Sequence, residues 1–357
     1  MTRPTVERTL YEAYDFPVFQ NRMYDSAAEA RACPKGDIRL VQDHRTGLVS
    51  NQAFRPEVMT YDRNYQNEQA VSAAFRTHLE EVAGIVGRAM KGEPIVEVGC
   101  GKGFFLEMLL SRGFDVVGFD PTYEGENPRV VRRYFDSRAG VRSGALVLRH
   151  VLEHVPDPYR FLLSLREANA GGGKIYIEVP CFDWINRHGA WFDIFYEHVN
   201  YFRLADFRRM FGRIGESGHL FGGQYLYVVA DLSTITEPRF DPADEVQLAE
   251  DFTASLTRGD LRQPDGSPTA IWGGASKGVI FALLRERIGR PVDIVIDVNP
   301  AKQGKYLPGS GLRVQSPSDA LPRLPTGATI FVMNSNYLRE IREMSGNAYR
   351  YIGVDHG

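Results

Sequence analysis

Two stretches of this chain hold residue types at spacings that do chemistry. In IVEVGCGKGFFLEML, an apolar run passes Glu97 and turns through Gly99, Gly101 and Gly103 into a second apolar pattern. Glycines at such a turn let the backbone approach a ligand closely, and the helix start that follows offers unpaired N–H groups to an anionic end. Asp120 closes the next apolar run, DVVGFD, about twenty residues on, where a carboxylate can accept hydrogen bonds from both hydroxyls of a ribose. A nucleoside ligand is implied, but the spacing is GxGxG and Phe104 stands where a dinucleotide fingerprint has its third glycine, which disfavours NAD. The second stretch, FYEHVNYF from Phe195 to Phe202, sets Glu197 and His198 side by side among aromatic residues. An imidazole with a reference pKa of about 6.5 accepts a proton near neutral pH, and such a base contributes roughly a hundred- to ten-thousand-fold in rate. The local alternative is a histidine that simply hydrogen-bonds inside an aromatic cluster.

The elements that must position these residues follow from hydrophobic patterning. PIVEVG, DVVGFD, ALVLRH and KIYIEVP are short apolar runs separated by helical or turn-rich segments, the alternation of a doubly wound α/β sheet covered on both faces. Ahead of them Val71, Phe75, Leu79, Val82, Val86 and Met90 recur at spacings of three and four, which predicts a helix burying one face. After YLYVVADL and a polar stretch, a second alternation runs through AIW, GVIFALLRERI, VDIVIDV and ATIFVMN, predicting a smaller C-terminal α/β domain. Residues 1–64 are irregular, with short alternating pieces such as DIRLVQ that suit a small sheet. Three domains are expected: a small one over 1–64, a nucleoside-binding one over 65–235, and a Rossmann-like one over 236–357.

Composition limits the partners. With 357 residues, 43% apolar and 24% charged, and a formal net charge of −3, the chain has no bulk attraction to nucleic acid or anionic membranes, so a small-molecule partner is expected. There is no apolar leader and no window of eighteen uninterrupted apolar residues, and the cytoplasm is the expected location. Cys33, Cys100 and Cys181 lie far apart and form neither a disulfide framework nor a four-thiolate zinc site.

Glu97 ahead of the glycines, with Asp120, resembles motif I and its successor in class I S-adenosylmethionine-dependent methyltransferases. RHVLEHVPDP looks like the same family's next signature, with Asp157 as N-cap and Pro158 at the first helical position. The resemblance implies S-adenosylmethionine as cofactor and S-adenosylhomocysteine as product. It places Gly99, Gly101 and Gly103 near the methionine portion, Asp120 and Pro121 at the ribose, and His150 near the cofactor's far side. Tyr65, in YDRNYQNEQAVS, is either a contact to cofactor or substrate or a packing residue.

A closer resemblance is to the sugar C-methyltransferases that act on nucleotide-linked deoxysugars, whose YxEHxxYF segment is matched by Phe195–Phe202 apart from its leading tyrosine. In that family the tyrosine, glutamate and histidine are thought to line the reacting centre, which carries over to His198 and Glu197, with Tyr196 one place from the expected hydroxyl. His154 aligns with a position that can face the same centre. IWGGASKGVIFALL, IDVNPAKQGKYLPG and MNSNYLREI look like the family's appended Rossmann-like domain, where Lys277 is either a cation for an anionic group or a solvated surface lysine. The N-terminal region follows the layout of the family's small zinc-binding domain, but Asp43-His44-Arg45-Thr46-Gly47 stands where a CxxCG element is expected. Cys33, Asp43 and His44 are a poor set for structural zinc, and no metal is expected. The implied activity is methyl transfer to a sugar, through an enolate if the acceptor is a keto sugar. The rivals are O- or N-methylation of another saccharide or biosynthetic small molecule, and more distantly a non-catalytic nucleotide-binding module.

Overall fold

The computed structural model describes residues 8–59, 70–140, 143–249, 252–257 and 267–355. Its centre is a seven-stranded sheet in the order Ile214–Leu220, Tyr225–Asp231, Lys174–Pro180, Ala145–Arg149, Ile95–Val98, Val116–Phe119, Val130–Val131. The strands from Lys174–Pro180 to Val130–Val131 run parallel. Ile95–Val98 is buried at every position, as the apolar run predicts for a strand covered on both faces. The other edge is an antiparallel hairpin, reversed at Gly222 and Gly223 with φ of 67° and 86°, conformations that glycine adopts without a Cβ penalty.

The helix Ala73–Ala89 lies against this sheet. Phe75, Leu79, Val82 and Val86 are buried and Met90 closes the apolar face at the C-cap, as their spacing predicts. Val71 falls outside the helix and is 39% exposed, because the Ser72 side chain accepts from Phe75 N and starts the helix after it. Asp157 caps the helix Pro158–Ala168 in the predicted way, accepting from Arg160 N.

Two further sheets flank the centre. A five-stranded parallel sheet is ordered Val314–Gln315, Ile294–Ile296, Thr269–Trp272, Thr329–Val332, Arg350–Gly353, with the helix Lys277–Arg287 following its middle strand. A four-stranded antiparallel sheet joins Arg8–Pro17, Lys35–Gln42 and Val49–Asn51 to Asn200–Tyr201. That last strand belongs to FYEHVNYF, so the candidate base segment is clamped by backbone pairing to the N-terminal sheet.

Where the resemblance expects zinc ligands, a hydrogen-bonded turn takes their place. Asp43 accepts from Arg45 N at 2.7 Å and from Thr46 Oγ1 at 2.9 Å, and Gly47 completes the reversal at φ 81°. His44 stacks on Phe240 instead of converging on Cys33. All three cysteines are buried thiols. No helix among the described residues is long and apolar enough to cross a membrane.

The C-terminal unit is fastened to the centre by specific contacts. Trp191 stacks on Phe281 with ring centroids 5.8 Å apart, and Ser72 Oγ donates to Glu340 at 2.6 Å. Gln224 exchanges hydrogen bonds with Asn334 at 2.8 and 3.0 Å and donates to Asp355 at 3.2 Å. Between the two units lies a cleft of about 380 Å³.

Candidate active site

The floor of the cleft is the turn after strand Ile95–Val98. Gly99, Gly101 and Gly103 have φ of 73°, 55° and 82°, the left-handed region, and Gly103 is the N-cap of the helix Phe104–Ser111. The first two glycines serve different ends. A Cβ on Gly99 would sit 2.5 Å from Val151 Cγ2, so this position is required by packing, whereas a Cβ on Gly101 would meet nothing within 4 Å. Gly99 and Gly101 line the cleft, but Gly103 does not. Nor do Asp120 and the exposed Pro121: Asp120 accepts from Gly101 N at 2.8 Å with one oxygen and from Thr122 N and Oγ1 at 2.8 and 2.7 Å with the other. Asp120 therefore shapes the glycine turn from beneath. Tyr65 lies outside the described residues.

Glu97 faces the cleft while buried, and its Oε2 has no hydrogen-bond partner among the described residues. Burial lifts its pKa to about 8, with Arg149 opposing and Asp120 adding to the rise. A buried carboxyl with an unused oxygen beside an open glycine is a receptor for a donor, above all an ammonium.

Along the wall, strand ends Arg149 and Glu178 organise a polar network that sequence reasoning missed. Glu178 is fully buried and receives Tyr176 Oη at 2.7 Å, His78 Nε2 at 2.9 Å, His150 Nε2 at 3.0 Å and Arg149 at 3.3 Å. Burial alone would raise its pKa, but Arg149 and the hydrogen bonds from His150 and His78 hold it well below the usual carboxylate range. The signal was present: a lone glutamate inside the apolar KIYIEVP, near the carboxyl end of a parallel strand, where α/β ligands bind.

The histidines differ in their surroundings. His150 has φ of 51°, uncommon outside glycine, which turns its ring between two carboxylates: Glu178 at Nε2 and Glu153 at Nδ1, 3.4 Å away. Burial works against charge on this ring, yet the two carboxylates lift its pKa to about 9, so His150 is a fixed cation and not a base. His154 pairs Nδ1 with the backbone carbonyl of Glu197 at 2.9 Å. A carbonyl only accepts, so the neutral ring carries its proton there and leaves Nε2 as a lone pair. His198 stands perpendicular to His154 at 4.9 Å between ring centroids and lies 4.0 Å from the Phe195 ring. Burial first, then the neighbouring His154, His150 and Lys277, keep its pKa well below the ordinary histidine value.

His150, His154, His198 and Phe195 line the cleft together; Tyr196 and Glu197 do not. Tyr196 points into the N-terminal sheet, where its hydroxyl accepts from Arg55 N at 2.9 Å and its ring covers Gly36 so closely that a Cβ there would fall 2.2 Å away. Glu197 is 1% exposed and accepts from Gln20 N at 2.9 Å. The chain turns at Tyr196 and Glu197, with His198 N donating to the Phe195 carbonyl at 3.2 Å, so Phe195 and His198 face the cleft while Tyr196 and Glu197 anchor the segment behind it. Glu153, which shares the Leu152–His154 turn with His154, is the carboxylate that lines the cleft on this side.

The C-terminal unit closes the cleft with Trp272, Lys277, Asn299, Lys302 and Tyr337. Lys277 is no solvated lysine: it pairs with Asp193 at 3.0 Å and donates to Gln224 at 2.9 Å. Asp297 repeats the geometry of Asp120, accepting from Gly274 N at 2.8 Å, but Lys302 lies 3.3 Å from the same oxygen and neutralises it within its own unit.

The chain is a class I S-adenosylmethionine-dependent methyltransferase, and the acid-bounded glycine turn at the carboxyl ends of its parallel sheet lies in this cleft. The chain carries a methyltransferase domain over residues 61–215 and a C-methyltransferase C-terminal domain over residues 250–353. It is 26% identical over 305 residues to the C-methyltransferase NovU of Streptomyces niveus, covering 73% of this chain and 72% of that protein. A ubiquinone biosynthesis O-methyltransferase of Pseudomonas paraeruginosa is 27% identical over 128 residues, 31% of this chain and 50% of its own. Among solved structures, a SAM-dependent methyltransferase from Archaeoglobus fulgidus superposes with a TM-score of 0.33 and 18% identity, over 45% of this chain and 100% of its own. The Burkholderia thailandensis 1,6-didemethyltoxoflavin-N1-methyltransferase, with bound S-adenosylhomocysteine, gives 0.33 and 16%, over 47% and 79%.

The residues present fit the cofactor. Glu97 Oε2, without a partner among the described residues, and the open space above Gly101 suit the ammonium end and close backbone approach of a methionine moiety.

Proposed function

We propose that the protein transfers a methyl group to a carbon of a nucleotide-linked keto sugar, with His198 as the general base. The bound cofactor supplies an activated methyl on a sulfonium, so the protein's contribution is positioning and acceptor activation. His198 accepts the proton from the carbon beside the acceptor's carbonyl, and the electron pair left on that carbon forms the new bond to the methyl. Phe195 and the buried surroundings exclude water from that nitrogen, and His154, held by Glu197's carbonyl, packs the ring in place. His150, fixed as a cation, adds positive charge to the wall where enolate charge develops.

The observation that carries this reading is the His198 imidazole, which faces the cleft and makes no side-chain hydrogen bond among the described residues, and whose burial holds its pKa well below the ordinary histidine value. The same base serves O- or N-methylation, and that second reading is favoured by Phe195, which places a bare ring in the cleft where the sugar enzymes have a hydroxyl. Incubation with methyl-¹³C S-adenosylmethionine and nucleotide-linked 4-keto sugars tests the choice. A carbon-bound methyl in the product spectrum is the expected result, and transfer solely to oxygen or nitrogen acceptors overturns it.

A further inference from the structure

Among the described residues, one group of metal-ligating side chains brings its ligand atoms within 4.8 Å of one another: Glu153, His154 and His198. Glu153 is 1% exposed, and its Oε2 has no hydrogen-bond partner among the described residues, while Oε1 faces His150 Nδ1 at 3.4 Å. A carboxylate oxygen buried in this way and left unpaired is costly unless something occupies it. His154 spends Nδ1 on the carbonyl of Glu197, which is the outer-shell bond that orients a metal-binding imidazole and leaves Nε2 as the ligand. His198 contacts Phe195 and His154 through its ring and makes no side-chain hydrogen bond among the described residues. Two imidazole nitrogens and one carboxylate oxygen form the donor set of an open zinc site, and since all three residues line the cleft, the fourth position faces its interior.

We propose that Glu153, His154 and His198 bind one divalent transition-metal ion, of the zinc class, inside the active cleft, and that occupancy silences the enzyme by engaging the lone pair His198 uses as a base. Nitrogen donors select zinc-class ions over magnesium or calcium, which prefer all-oxygen shells. The binding half stands on the ligand geometry alone; the silencing half rests on the base role of His198.

The test is a Co²⁺ titration of the full chain, followed by visible absorption and then displaced by Zn²⁺. One equivalent per chain is expected. His154→Ala and Glu153→Gln should each weaken it by at least about tenfold, and His44→Ala, which alters a histidine remote from the cleft, should leave it unchanged. Thermal melts identify which variants are folded, and the glutamine variant keeps the side-chain volume. Zn²⁺ should lower turnover in proportion to occupancy, with recovery on adding a chelator. Absence of a stoichiometric site, or equal binding by the folded His154→Ala and Glu153→Gln proteins, overturns the binding half; turnover unaffected by full occupancy overturns the silencing half. Metal binding is read without acceptor or cofactor, so its failure leaves the base assignment intact.

Discussion

The backbone carbonyl of Glu197 accepts the Nδ1 proton of His154 at 2.9 Å, while the Glu197 carboxylate turns away to Gln20 N. The adjacent Glu197 and His198 therefore do not act as a proton-handling pair. Glu197 fixes the segment and sets the tautomer of His154, and His198 alone of the two faces the cleft.

The depressed pKa of His198 gives a pH signature. A base already unprotonated in the folded enzyme loses nothing as the pH falls through the ordinary histidine range, so kcat should stay flat from about pH 8 to about pH 6. A fall in kcat centred near the reference value of about 6.5 would show that a normal histidine limits the rate.

Gly99 and Gly101 should separate folding from binding. Gly101→Ala adds a Cβ into open space and bears only the left-handed backbone penalty of about 1–2 kcal/mol, yet it narrows the approach to the cofactor. Calorimetry should show S-adenosylhomocysteine affinity down at least about tenfold in a protein that still melts cooperatively. Gly99→Ala meets Val151 at 2.5 Å and should appear mainly as a lowered melting temperature.

Glu97 should release a proton when the cofactor product binds. Its pKa of about 8 leaves it mostly protonated near neutrality, and an ammonium neighbour favours the carboxylate. Calorimetric enthalpies for S-adenosylhomocysteine at neutral pH should therefore depend on the buffer's ionisation enthalpy, and in Glu97→Gln that dependence should vanish. Buffer-independent binding by the parent protein would mean that Glu97 does not meet the ligand's charge.

His150 links stability to pH. Its folded pKa of about 9 lies above the ordinary 6.5, so the stabilisation it provides is complete below about 6.5 and is lost as the pH rises through about 9. Urea unfolding across that window should show the parent protein losing more stability than His150→Gln. Parallel curves would remove His150 from the linkage.

The sheet and its cofactor turn were legible because they are written locally. Buried parallel strands read as apolar runs, Ser72 and Asp157 mark helix starts, and left-handed turns need glycine. The reacting wall was less legible because it is assembled from distant pieces. Glu197 lies behind the cleft with its carboxylate on Gln20 N, and Glu153 enters it from the Leu152–His154 turn, placements set by tertiary contacts with no local pattern. Glu178 was visible as an odd charge in a strand, but its four donors come from Tyr176, His78, Arg149 and His150, which only the fold brings together. The Asp120 contact to Gly101 N likewise required the strand order.

The base role of His198 is tested most directly by hydrogen exchange at the acceptor carbon, measured in D₂O with S-adenosylhomocysteine bound so that no methyl can be transferred. A nucleotide-linked 4-keto sugar should exchange its α-proton with the parent protein and with Glu197→Gln. His198→Ala should bind S-adenosylhomocysteine normally and exchange at least about a hundredfold more slowly. Exchange at the parent rate in folded His198→Ala would contradict the assignment.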